Sequence, residues 1–230
     1  MKKHIPNVLL VEGSNDKTFF ENLCKAYNLH VYVKVSNPLD FSINGAFNSK
    51  RGVIDSLDHL LPFLEDEDSA IQKIAIILDA DITGENRGGF KETIAQLKEK
   101  TSKFGYKETH KYSNGGVEIP HSDREMNALG VWIMPNNKSD GTIEDWIKSK
   151  IISSETELFN HACHTVKELA NKKFSQNSIT KAEIATWLAW QNQPGRTIAY
   201  ALKEGEELLD INSQGFIDLI EWLRNFFSDK

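Results

Sequence analysis

Three short runs of aliphatic residues constrain this chain more than anything else in it. Asn7–Val11 (NVLLV), Lys73–Leu78 (KIAIIL) and Val131–Met134 (VWIM) carry no polar residue in their apolar cores. A strand with one face in water would be polar at every second position. These runs are not, so each is expected to be a strand buried on both faces, as in a parallel sheet covered by helices on each side. Stretches with helical spacing lie between them. Lys17–Tyr27 puts Phe19, Phe20, Leu23 and Cys24 on one face, with Ser14 or Asn15 as its cap. Val53–Leu64 does the same with Ile54, Leu57, Leu60, Leu61 and Leu64, and Phe90–Lys103 turns Ile94 and Leu97 inward. Val31–Val35 alternates as a strand and is followed by a polar, glycine-containing loop, Ser42–Gly52. Residues 105–130, punctuated by Gly115, Gly116 and Pro120, read as irregular with one short hairpin. Thr142 is expected to cap a helix starting at Ile143, with Asp145 closing a T-x-x-D box. The alternation predicts a three-layer α/β/α, Rossmann-like parallel sheet with right-handed crossovers.

Strand signals stop near residue 151. Helices are expected over 154–172, 180–191, 195–204 and 213–228, with Trp187, Trp190 and Trp222 at spacings typical of a core. The chain therefore divides into a sheet domain, 1–150, and a helical C-terminal extension, 151–230. These helices either pack on the sheet or mediate an oligomer.

In open α/β sheets, ligands collect at the carboxyl ends of the strands. The first apolar run ends in Glu12 and Gly13, with Asp16 one helical turn on. The second ends in Asp79-Ala80-Asp81, and the third leads through a short loop to Gly141-Thr142-Ile143-Glu144-Asp145. In a 2-1-3-4 strand order Glu12, Asp79 and Asp81 converge, and Asp16 points the same way. Taken singly, each acid is explained by a helix cap or a solvated loop; the conjunction is what sets the expectation. Crowded carboxylates repel, and each has its pKa raised unless a cation neutralises the group. Hard oxygen donors select Mg²⁺ or Mn²⁺.

Charge narrows the partners. With 33 acidic and 27 basic residues the net charge is −6, so the chain does not hold nucleic acid by bulk positive charge. No apolar run approaches the ~18 residues of a membrane helix, and the N-terminal segment lacks a signal-peptide pattern. The two cysteines, Cys24 and Cys163, have no metal-ligand spacing and read as buried thiols in a reducing, cytoplasmic setting.

V-E-G-S-N-D after the first strand, with a later I-I-L-D-A-D, resembles the TOPRIM family. That family comprises topoisomerases, bacterial primases, small ribonucleases of ribosomal RNA maturation and the OLD-like nucleases. Its pattern is a glutamate after the first strand and a D-x-D after the third; Glu12, Asp79 and Asp81 match it. The V-E-G-x-x-D form, with Asp16, looks most like the OLD-like nuclease branch. The stretch Gly130–Ile147 is similar to small bacterial TOPRIM-related proteins of unknown function. The resemblance covers about residues 5–150. There are departures: the sequence has no G-x-x-x-x-G-K-[ST] nucleotide-binding motif, no zinc ribbon of a primase and no tyrosine assignable as a topoisomerase nucleophile.

What the resemblance implies is a Mg²⁺- or Mn²⁺-dependent protein acting on nucleic-acid phosphodiesters, DNA or RNA, most naturally as a nuclease. Glu12, Asp79 and Asp81 would be catalytic. Glu12, Asp16, Asp79, Asp81 and Glu144 would hold one or two ions, Asp145 standing second to Glu144, and Glu12 would double as general acid/base. Lys17, Lys50 and Arg51, near the same edge, are candidates for phosphate contact, against the plainer reading of solvated charges. The glycine-rich loop Gly84–Gly89 would let a substrate backbone approach closely, or is simply a flexible loop. Two other readings stand beside this one: a non-catalytic metal- or nucleotide-binding subunit working with a separate ATPase, and a phosphohydrolase of small nucleotides.

Overall fold

The apolar runs pair side by side into the centre of one sheet. A computed structural model describes residues 7–35, 49–64, 69, 71–84, 88–111 and 114–228. Within them run β1 (Asn7–Val11), α1 (Ser14–Ala26), β2 (Tyr32–Val35), α2 (Lys50–Leu64), β3 (Lys73–Asp79), α3 (Phe90–Ser102), β4 (His110–Lys111), β5 (Val117–Ile119) and β6 (Leu129–Met134). They are followed by α4 (Ile143–Lys148), α5 (Thr156–Glu168), α6 (Ile179–Ala189) and α7 (Gln214–Phe227), with a 3₁₀ turn at Ile198–Leu202. The sheet order is β2-β1-β3-β6-β5-β4, parallel through β6 and antiparallel beyond it. The expected α/β/α layering with a largely parallel sheet is the fold observed.

Strand periodicity decides which residue meets which layer. Val8, Leu10, Ile74, Ile76 and Leu78 face α2 and α3, packing on Leu57, Leu60, Leu61 and Leu97. Their neighbours Leu9, Val11, Ala75, Ile77 and Trp132 face the other way, onto Phe19, Phe20 and Leu23 of α1 and Leu219, Trp222 and Leu223 of α7. The C-terminal helices and the sheet therefore share one apolar core.

Several local expectations shift. The first helix starts at Ser14, and neither Ser14 nor Asn15 caps it: Gly13 takes the cap position and Asp16 Oδ2 accepts the Gly13 N–H at 3.0 Å. The second helix begins at Lys50 rather than Val53, because Ser49 Oγ accepts the Gly52 N–H at 3.1 Å and so serves as its cap. Lys50 and Arg51 are thus helical. The rest of the loop assigned to 42–52 lies outside the described residues, as do 85–87 of the glycine-rich loop. The hairpin expected within 105–130 is β4–β5, and the segment also holds the start of β6. Residues 198–202 form a 3₁₀ turn in place of the helix expected over 195–204. Trp187 and Trp222 are buried, but Trp190 is exposed; Cys24 is buried, whereas Cys163 is only partly so. Among the described residues no helix is long and apolar enough to cross a membrane.

Candidate functional site

Hydrogen bonds knit the carboxyl ends of β1, β3 and β6 together through acidic side chains. Glu12 is the first residue past β1, and its Oε1 accepts the Asp79 N–H at 2.8 Å, tying two neighbouring strand ends. Asp79 closes β3, and its Oδ1 accepts the Ile143 N–H at 2.8 Å, reaching the first turn of α4. The Ala80 N–H continues toward β6, donating to Met134 O at 3.1 Å. Asp81 has φ of 60°, a left-handed conformation that aspartate tolerates better than most residues. Two backbone bonds to Gly141, 2.9 and 3.0 Å, hold it there.

Asp16 and Glu144 enter from the helices. Asp16 approaches from the first turn of α1 while capping it. Glu144 is buried in the first turn of α4, with Lys181 Nζ 3.6 Å away. Asp145, the second candidate at this position, is spent locally: its Oδ2 accepts the Thr142 N–H at 2.9 Å and lies 3.2 Å from Thr142 Oγ1. The T-x-x-D box is thus present, and it takes Asp145 out of the acidic group.

The remaining acids feel one another. Burial, then the charges of Asp81 and Asp16, push the Glu12 carboxyl up to about 7, against the hydrogen bond from Asp79 and the charge of Lys50. Burial and Glu144 push Asp16 up to about 6, with Lys181 opposing. Asp79 is raised well above the ordinary carboxylate range by burial and by Glu12, Glu144, Asp16 and Asp81. An uncompensated negative pocket has this signature.

Asp81 is different. Its Oδ2 is ion-paired with Lys50, whose Nζ also donates to Asp79 O at 3.3 Å and Ala80 O at 3.0 Å. Lys50, read as a solvated loop charge or a candidate phosphate contact, therefore turns inward onto the D-x-D turn. Arg51 points outward, 91% exposed, and lies 3.4 Å from Asp55 Oδ2. Lys17 follows Asp16 in α1 and is half-buried. A recess of about 600 Å³ opens beside the acids, lined among others by Glu12, Lys50, Arg51, Asp81, Gln96 and Lys103. Among the described residues, no three His, Cys, Asp or Glu side chains are grouped so as to hold one ion as they stand.

Two contributors escaped the sequence reading. Asp140 clamps the loop after the D-x-D: its Oδ2 accepts from Thr83 N–H at 3.1 Å and Thr83 Oγ1–H at 2.6 Å, and its Oδ1 accepts from Phe90 N–H at 2.7 Å. No motif marks it, because it caps α3 from 50 residues away in sequence. Lys181 lies in α6, far outside the segment that carries the acidic motifs. Glu144 foremost, then Asp79 and Asp16, draw its ammonium pKa upward.

A family described as "Protein of unknown function (DUF3226)" matches residues 6–228, the sheet and the C-terminal helices together. No curated protein and no solved structure matches the chain.

Proposed function

Starting from a chain that belongs to the DUF3226 family, we propose that it is a divalent-metal-dependent, TOPRIM-type hydrolase of nucleic-acid phosphodiesters. The observation that carries this reading is the set of buried or half-buried, mutually repelling carboxylates, Glu12 and Asp79 at adjacent strand ends with Asp16 and Glu144 entering from helix starts. The donor chemistry fits Mg²⁺ or Mn²⁺: all are hard oxygens, and the electrostatic cost of assembling them falls when a dication sits among them. Among the described residues, no three of these acids are grouped so as to hold one ion as they stand. Glu12, Asp16, Asp79 and Glu144 are the residues that would hold the ion. When bound, it supplies positive charge to the phosphoryl oxygens and acidifies a water.

The chain's own groups do the rest. Glu12 keeps Oε1 on the Asp79 N–H, which leaves Oε2 to face the ion or to accept and return a proton. Lys181, 71% exposed above Glu144, would be the positive group that an arriving phosphate meets. Arg51 at the mouth of the recess adds a second positive contact.

The test is cleavage of plasmid DNA, single-stranded DNA and RNA by the isolated chain with Mg²⁺ or Mn²⁺. Glu12→Gln is expected to lower activity by roughly a hundredfold or more, as loss of a proton-transfer group does, and Asp79→Asn to lower it through loss of a carboxylate that would hold the ion. Undiminished cleavage by either variant ends the assignment. One observation favours a second reading: the 600 Å³ recess is the size of a small-molecule pocket, which suits small nucleotides as substrates. Offering nucleotides in place of polymers in the same assay separates the two. A partner subunit requiring a separate ATPase would show no turnover on either.

A further inference from the structure

Lys50 presents the feature that the acidic cluster alone does not explain. Its ammonium is surrounded by four oxygens: Asp79 O at 3.3 Å, Ala80 O at 3.0 Å, Thr93 Oγ1 at 3.5 Å, and Asp81 Oδ2 as the ion-pair partner. Thr93 spends its own proton on Gly89 O at 2.9 Å, so it offers Lys50 a lone pair. Two carbonyls, a hydroxyl and a carboxylate are all hard oxygens, the donor type that divalent ions also use. Here an ammonium sits among them. The Lys50 side chain is only 12% exposed, while that of Asp81 is 48% exposed. Lys50 is also the first residue of α2, where the helix dipole disfavours a cation. The oxygens hold the charge there against the helix.

Resting on the metal reading above, we propose that Lys50 is a resident second cation: the site takes a single divalent ion, and Asp81 serves Lys50 instead of that ion. The charges agree. With an ion bound and all five carboxylates ionised, Glu12, Asp16, Asp79, Asp81 and Glu144 face two lysines, Lys50 and Lys181, and one dication brings the group within a single charge of balance. The geometry agrees as well. Asp81 leaves the strand in a left-handed turn pinned by Gly141 and directs Oδ2 to Lys50.

The experiment is a titration of the full chain with Mn²⁺ near neutral pH. Free aqua ion is counted by electron paramagnetic resonance and heat by calorimetry. The wild type is expected to bind one ion per chain. Lys50→Met empties the oxygen cage and is expected to bind two. Asp81→Asn is expected still to bind one ion, weakened at most by the roughly 10–100-fold that loss of an outer-shell partner costs. Two ions in the wild type overturn the inference and leave the metal reading standing, as does a folded Asp81→Asn that binds none. A folded Lys50→Met that still binds one ion overturns it too. No Mn²⁺ bound by the wild type overturns the metal reading itself. Should Lys50→Met fail to fold, the wild type and Asp81→Asn decide.

Discussion

Glu12 sits in a conflict that pH resolves. Its folded pKa of about 7 lies above the ordinary 4.5, and that of Asp16, about 6, lies above 3.8. Between those limits the folded protein holds more protons than the unfolded chain, so stability falls as pH rises through the window. Below it both states are protonated and nothing is lost; above it both are ionised and the loss is complete. For Glu12 alone the difference is about 3 kcal/mol at most. The metal-free protein is therefore expected to melt at a higher temperature at about pH 5 than at about pH 8. Glu12→Gln should remove much of that slope, and Mg²⁺ added at the higher pH should restore the lost stability. A melting curve flat between the two pH values contradicts this account. Asp140 is a simpler case. It accepts the Phe90 N–H at the start of α3 and two bonds from Thr83, so Asp140→Ala is expected to cost about 1 kcal/mol, read from the urea midpoint.

At the scale of elements, α7 shows how closely a helix can be required to lie on a sheet. Trp222 packs over Gly116, just before β5, and Phe226 packs over Gly130 in β6. A Cβ at 116 would fall 2.0 Å from Trp222 Cδ1, and one at 130 would fall 2.9 Å from Phe226 Cζ. Neither glycine adopts a left-handed φ, so space rather than backbone conformation demands it. Gly116→Ala is expected to cost about 1–3 kcal/mol, with Gly130→Ala costing less because its clash is shallower. Denaturant midpoints of the two variants compare them directly. Helix starts near the site follow a related economy, with Asp16 and Asp145 each closing the first turn of the helix that contains it. The difference lies in their neighbours: Asp16 feels the charge of Glu144, whereas both hydrogen bonds of Asp145 Oδ2 come from Thr142.

For the whole molecule, the C-terminal helices are structural partners of the sheet as well as neighbours of the site. They cover the face formed by Leu9, Val11, Ile77 and Trp132, and α6 brings Lys181 to Glu144. A chain ending at residue 150 is expected to lose cooperative unfolding and expose that face, checked by calorimetry and dye binding; a sharp transition in the truncated chain would contradict it. The buried strands, their order through β3 and the acidic strand ends were legible in the sequence, because continuous apolar runs and D-x-D spacing are local patterns. So was the T-x-x-D cap. Helix starts at Ser14 and Lys50 were read late, since the caps are a glycine backbone and a serine that local composition does not distinguish. By itself, then, the sequence determined the layering and the residues from which an acidic pocket is built, since burial patterns repeat with strand and helix periods. Only the tertiary structure decided which of those acids remain uncompensated. Asp81 is neutralised by Lys50 and Asp145 by its own helix, and Glu144 meets a lysine 37 residues away, because charge pairing depends on distances through space that no spacing along the chain encodes.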